Sequence, residues 1–313
     1  MTGYLARRAF LALVTVLVAV VLSFLLVHLT PGSPGQLILG AGATKAQVAA
    51  KNSQIGWNQP LLTQLGRYLA SVARGNLGTS IIDGHSIGGD LLQRLPVTGL
   101  TAVLAAAVSA VAGTGLGLFA ATRRGAVDRA VDTASGVALS LPAFWTGVLL
   151  VYVLSIKAGL LPATGYVTPA QGLSEWLKSI TLPVIALAIP ATAIVARTAR
   201  AALIQALREP HIQMLRSLGE APWRLLLIHA LRSASVPVVS VLGVQFVALF
   251  SGSVIIENLF GLPGLGQAAS NAITSYDFPA VEGVVIVASL VVVLVNLLLD
   301  VLVAGLDPRV RAR

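Results

Sequence analysis

Apolar runs near twenty residues long alternate along the chain with short stretches that carry most of its charge. An α-helix rises about 1.5 Å per residue, so roughly 20 residues cross the hydrocarbon core of a bilayer. Six runs meet that length: residues 9–30, 97–120, 132–154, 180–200, 236–256 and 280–304. The last reads VEGVVIVASLVVVLVNLLLDVLVAGL, too long and apolar for an ordinary buried helix. Pro183 and Pro190 interrupt the fourth. Membrane helices accommodate proline when neighbours satisfy the freed carbonyls, so a kink is expected there, serving either gating or structure alone. Arg7 and Arg8 precede the first run, which extends from Phe10 to Leu29, near twice the length of a signal peptide's apolar region. Thr30, Pro31 and Gly32 follow without a small-x-small cleavage site. These features predict a retained anchor.

Between the first two spans, residues 31–96 contain LLTQLGRYLASVARG, where Leu61, Leu65, Tyr68, Leu69 and Val72 form an apolar stripe at helical spacing. Gly75 can end that helix. The segment either shields a pore mouth and receives a partner, or rests on the spans; Trp57 fits an interfacial anchor. Between the fourth and fifth spans the chain reads ARAALIQALREPHIQMLRSLGEAPWRLLLIHALRS. Glu209 suits a first-turn position and Pro210 suits N1. Ile212, Leu215 and Leu218 recur every three residues, and Gly219 can take the positive φ that ends a helix. Pro222 then opens a second amphipathic piece with Trp223, Leu226, Leu227, Ala230 and Leu231. This helix, glycine turn, helix arrangement fits a groove on a soluble partner or lies as a connector against headgroups. From the residues alone both readings stand. GLPGLG at 261–266, just beyond the fifth span, is a shaped turn; Gly261, Pro263, Gly264 and Gly266 are candidates for an external gate, against a simple connection.

Composition agrees with the spans: 56% of the 313 residues are hydrophobic and 11% charged, against about a quarter charged in soluble domains. The net charge of +9 does not indicate nucleic acid, because the basic residues fall between apolar runs rather than on one basic face. They set orientation instead. With six spans and the N-terminus inside, 14 of the 21 Arg and Lys lie on cytoplasmic pieces: Arg7 and Arg8; Arg123, Arg124 and Arg129; Arg197 to Arg232; and Arg309, Arg311 and Arg313. The loop 257–279 has none, and Lys157 and Lys178 are minor exceptions. The positive-inside rule therefore predicts both termini in the cytoplasm.

Catalytic constellations are missing from this pattern. No cysteine is present, which removes disulfides, thiolate nucleophiles and Cys-based metal sites. None of Lys45, Lys51, Lys157 and Lys178 follows glycine, so there is no P-loop. His28, His85, His211 and His229 form no HExxH and fall on different predicted faces, so no metal or cofactor site is expected; His28 is read as a hydrogen-bonded or interfacial histidine. Glu282 and Asp300 sit near the ends of the last span, Asp132 at the start of the third, and Asn296 deeper. A secondary transporter or channel calls for stronger intramembrane charge or repeated broken helices. A membrane protease calls for more than Ser140 and Asp132, and GLPGLG lacks the serine of GxSxG.

Several fragments, in order along nearly the whole chain, carry a resemblance: YLARRAF, LTPGSPG, GNLGTSI, LPAFWTGVLL, LLPATGY, ENLFGLPGLGQ, YDFPAVEGV and GLDPRVR. Together they resemble the inner-membrane permeases of dipeptide, oligopeptide and nickel ATP-binding-cassette importers, most of all the first permease of a peptide-import pair. The resemblance implies an all-α integral membrane protein with six transmembrane helices and a cytoplasmic coupling helix, the type I importer permease architecture. It implies an N-terminal anchor and external segment (1–96), a five-helix permease core (97–304) that includes the cytoplasmic loop 201–235, and a cytoplasmic tail (305–313). EPHIQMLRSLG corresponds to the family's EAA loop, with Glu209 as its leading acid and Gly219 as its glycine; Pro210, His211, Ile212, Met214, Leu215 and Leu218 complete the implied ATPase-coupling set. Pro210 after the acid, and Met214, Leu215, Arg216 and Ser217 in place of a more Ala-rich stretch, depart from the pattern, as does Asn76 where relatives commonly carry Asp. The implied partners are a second related permease, one fused or two separate ATP-binding subunits, an extracytoplasmic substrate-binding protein and membrane lipid, with no nucleic acid. ATP and magnesium are expected in those ATPases and no cofactor in this chain, which is expected to be non-catalytic. The implied function is ATP-driven import of dipeptides or oligopeptides across a bacterial inner membrane, with nickel-chelate, glutathione or other small-solute import as the alternative.

Overall fold

A computed structural model describes residues 2–29, 32–40, 42–123 and 125–306. Thr30, Pro31 and Arg124 lie outside the described residues, as does the terminal stretch carrying Arg309, Arg311 and Arg313. Every regular element among the described residues is helical, apart from one isolated bridge between Thr79 and Ser86. The chain divides into two compact units, Met1–Val97 with Pro263–Leu294, and Thr98–Leu262 with Val295–Arg313.

The first unit opens with α1 (Thr2–Leu29), followed by three short helices, α2 (Pro34–Leu39), α3 (Lys45–Ile55) and α4 (Leu61–Ala73). Their boundaries follow local chemistry. Ser33 caps α2, with Pro34 at its first position, and Thr44 and Gln47 form a reciprocal capping box at the start of α3. Gly35 approaches α3 so closely that a Cβ there would lie 2.9 Å from the Val48 carbonyl, and its N–H donates to buried Asn52 at 2.9 Å. Residues 76–86 form a tight loop. Gly78 N–H donates to the Asn76 side chain at 2.8 Å, and Ser80 N–H to the His85 carbonyl at 2.9 Å. Two long helices then share this unit with the next: α5 (Ile87–Thr122) begins here, and after α12 (Leu265–Thr274) so does α13 (Phe278–Leu306). Buried Asp277, just ahead of α13, accepts the Ser80 hydroxyl at 2.5 Å and the Ile81 N–H at 3.3 Å. Gly283 lets α13 approach α5; a Cβ there would sit 2.6 Å from Ile87.

The second unit is built around α8 (Leu173–Ala206), which packs on α6 (Ala126–Ser140), α7 (Ala143–Leu150) and α11 (Leu231–Phe260). Of its most apolar window 67% is buried, against 22% for the first span, so α8 is the core helix although it carries two prolines. It runs unbroken through Pro183 and Pro190. Its buried face is rich in alanine, and α5 meets it with glycine: a Cβ on Gly113 would lie 2.7 Å from Val195, and one on Gly117 2.7 Å from the Ala196 carbonyl. Without a hydrophobic driving force in lipid, such close backbone approach supplies the van der Waals contact that holds helices together.

Among the described residues five helices are long and apolar enough to cross a membrane, or six when one bent pair is counted as a span. The third expected span, 132–154, is that pair: α6 and α7, the latter continuing as a π-helical stretch Val151–Lys157, meet at 100°. The cause lies at the joint. Pro142 disfavours helical geometry in the residue before it, and Leu141 is extended at φ −91°, ψ 122°. The fifth expected span is longer than 236–256: α10 (Pro222–Arg224), a π-helical stretch (Leu225–Ala230) and α11 run on without a break. The second amphipathic piece of the 201–235 segment is therefore continuous with a span rather than a separate helix.

Candidate functional site

The polar segment between α8 and α11 folds as α9 (Pro210–Ser217). Glu209 takes the extended N-cap geometry that Pro210 imposes on its predecessor, and its carboxylate lies 3.2 Å from His211 Nδ1. Ile212 is the anchor. It is 0% exposed and packs with Ala121 of α5, Leu203 and Ala206 of α8, and Leu225, Ala230 and Ala234 at the base of α11. Burying such a side chain contributes roughly 1.5–3 kcal/mol. Leu215 is half-buried against the same cluster. Leu218 does not continue the stripe: α9 ends one residue earlier, and Leu218 is 72% exposed. Met214, also apolar, is 64% exposed. Gly219 has φ +84°, the left-handed geometry expected of it. Thus Glu209, Pro210, His211, Met214, Leu218 and Gly219 lie on one short, outward-standing element pinned by Ile212.

The helices beneath α9 are tied by charge. Asp128 on α6 receives two bonds from the Arg200 guanidinium on α8, that from Nη2 at 2.6 Å, and Asp132 pairs with Arg197 at 3.1 Å. The i, i+4 spacing of the acids and i, i+3 spacing of the arginines put each pair on facing helix surfaces. Asp132 is thereby bound in an ion pair rather than poised as a catalytic acid, and Ser140 donates to its own helix at Gly136.

Gly261, at φ +66°, closes α11 and returns its N–H to the Glu257 carbonyl. Gly165, in the loop after α7, donates to the Phe260 carbonyl at 3.0 Å. Glu257 is fully buried and accepts the Thr98 hydroxyl at 2.6 Å. Pro263 follows buried Leu262, Gly264 is the N-cap of α12, and Gly266 is buried in its first turn. The four candidate gate residues thus divide between the end of one helix and the start of the next. Pairing of Glu257 with Thr98 was not foreseen, and no local motif marks it. A cleft of about 520 Å³ opens among α5, α6 and α8, walled chiefly by alanine and aliphatic side chains with Ser135 and Thr192. Among the described residues no group of three His, Asp or Glu side chains is placed to hold a metal ion.

A multi-pass, all-α chain with an apolar cleft in its second unit and a short helix at the end of α8 fits a membrane transport subunit. Residues 113–312 match the family described as binding-protein-dependent transport system inner membrane component, and residues 1–101 match that family's N-terminal region. The chain is 35% identical to a probable peptide ABC transporter permease of Sinorhizobium fredii, over 98% of this chain and 99% of the relative. It is 35% identical to a putative peptide transport system permease of Brucella abortus and 33% to the glutathione transport system permease of Pectobacterium atrosepticum, each over 99% of both chains. An inward-facing structure of the MetNI methionine ABC transporter has the same fold, with TM-score 0.59 and 18% identity, over 69% of this chain and 96% of that one. The chain belongs to the binding-protein-dependent inner-membrane permeases, as a homologue of the peptide-import subunits. It is a multi-pass inner-membrane component of a binding-protein-dependent ABC transport system. Membership implies a partner permease, ATPase subunits that carry ATP and magnesium, and an extracytoplasmic substrate-binding protein.

Proposed function

We propose that this subunit forms half of an ATP-driven path for dipeptides or oligopeptides, with residues 209–219 as the contact to the ATPase and both termini in the cytoplasm. The observation that carries the coupling role is the division of α9: Ile212 is wholly buried while Met214 and Leu218 stand exposed on the same short element. Apolar side chains so presented, Met214 on an eight-residue helix and Leu218 at its C-cap, fit a groove on a soluble partner. Residues 1–96 serve as anchor and external segment and 97–304 as the core. Residues 261–266 form an external gate, a role supported by the tight turn at Gly261 and the helix start at Gly264. Peptide cargo is supported by the peptide-transport relatives at 35% identity. Glutathione is the second reading, on the relative at 33%.

Reconstitution with the cognate subunits tests both parts. Uptake of labelled dipeptides or oligopeptides should require ATP hydrolysis and outcompete glutathione; preferential glutathione uptake reassigns the cargo. The pair Met214→Glu and Leu218→Glu should weaken ATPase binding by about tenfold or more, the scale of losing one buried apolar contact of an interface, with the permease still inserted. Unchanged ATPase affinity in that variant removes α9 from the interface.

A further inference from the structure

A cavity of about 200 Å³ lies within the first unit, between the end of α1, the helices α3 and α4, and the first turn of α13. Its wall holds the carboxylate of Glu282, only 8% exposed, and the Arg67 side chain from α4. Among the described residues no hydrogen bond or ion pair reaches Glu282. An ionised carboxylate withdrawn from water without a partner is costly, so this group faces the cavity as an unmet acceptor. The rest of the wall is braced. His28 contacts the Phe24 carbonyl at 2.8 Å and the Gln64 side-chain oxygen at 3.1 Å, and it stacks on Trp57 at 4.3 Å. Gln64 in turn donates to the carbonyls of Trp57 and Gln59 at 2.9 and 2.8 Å. Burial holds the Tyr68 phenol of the same helix as Arg67 above its usual range.

Two further features narrow the ligand. His28 ends the α1 span and Glu282 begins the α13 span, which sets the cavity at headgroup depth, where tryptophan also concentrates. Beside it runs an apolar cleft of about 440 Å³ along α1, α12 and α13; Val27 and Phe278 line both spaces. Leu22, Leu26 and Ile273 in that cleft are strongly exposed. A ligand with a primary ammonium, a nearby anionic oxygen and a hydrocarbon tail satisfies all three parts at once. We propose that this is a phospholipid site for an ethanolamine headgroup, with the ammonium on Glu282, the phosphate toward Arg67 and an acyl chain in the cleft. A soluble zwitterion has the same two charges but leaves the cleft unfilled.

Native mass spectrometry on the complex purified with its partner subunits, under stepwise delipidation, reads the site directly. The wild type should keep one phosphatidylethanolamine per copy of this chain after phosphatidylglycerol has washed off. Phosphatidylcholine should not replace it, because a quaternary ammonium has no N–H to give a carboxylate. Glu282→Gln should lower retention by about tenfold, the scale of one charge-assisted bond. Ile273→Trp, which fills the cleft and leaves the acid in place, should lower it as well, and supplies the reading if the first variant fails to accumulate. Retention that both variants leave unchanged, or equal retention of phosphatidylcholine, overturns the proposal. So does soluble glycerophosphoethanolamine protecting the complex from heat as strongly as the lipid, which would make the ligand a free zwitterion.

Discussion

Gly117 shows how little space separates the helices of the second unit. A Cβ there would come within 2.7 Å of the Ala196 carbonyl and 2.8 Å of the Ala199 Cβ, and neither can turn aside. Gly117→Ala is expected to destabilise by about 1–3 kcal/mol, the range for overpacking a filled interior, read as a lowered midpoint in a detergent melting scan. Gly115, two residues away, has no atom within 4 Å of its would-be Cβ. Gly115→Ala should leave that midpoint within error or raise it, since alanine is the better helix former. Equal effects at the two positions would contradict the observed rotation of α5. The glycines are plain in the sequence, but the one that touches α8 and the one that touches nothing differ only by where each falls around the helix.

At the scale of elements, the bend between α6 and α7 has two supports, one local and one distant. Pro142 biases Leu141 toward extended geometry, and Gly147 admits Leu259 of α11, whose methyl would lie 2.7 Å from a Cβ at that position. Gly147→Leu is expected to lower the thermal midpoint further than Pro142→Ala, because the distant contact remains when the proline is removed. The opposite order would assign the bend to the proline alone. Apolar length located five long helices and the bent pair because the bilayer sets a thickness that the chain must match. It carries no directional information, so 132–154 reads as one rod although Pro142 stands within it. Helices α2 and α3 went unread because they are too short or too polar to register as apolar runs, yet Ser33-Pro34 and the Thr44–Gln47 box marked their starts. In the 209–219 segment Glu209, Pro210 and Gly219 act through local backbone geometry and were legible. Leu218 was grouped with Ile212 and Leu215 by spacing alone, and only the helix end at Ser217 parts them. The links from Asp277 to Ser80 and from Thr98 to Glu257 join residues far apart in sequence, and no local pattern encodes them.

For the whole molecule, orientation is the property most open to measurement. The chain has no cysteine, so single cysteines report on a silent background. In intact cells Gln171→Cys, in the loop ahead of α8, should react with a membrane-impermeant maleimide, and Ser217→Cys, on α9, should react only after permeabilisation. Both positions are exposed, so burial does not confound the comparison. The reverse pattern would invert the topology and remove α9 from the side where ATP is found.

The seat of Ile212 has a mechanical corollary. Its neighbours come from the ends of three long helices, through Ala121, Leu203 and Ala230, and close-packed interiors yield very little under load. A push on α9 therefore finds no slack in which to dissipate; it arrives at three membrane rods together, as a hub moves its spokes. Under the proposed coupling role, trimming that one side chain would leave the rods standing and loosen their link to α9.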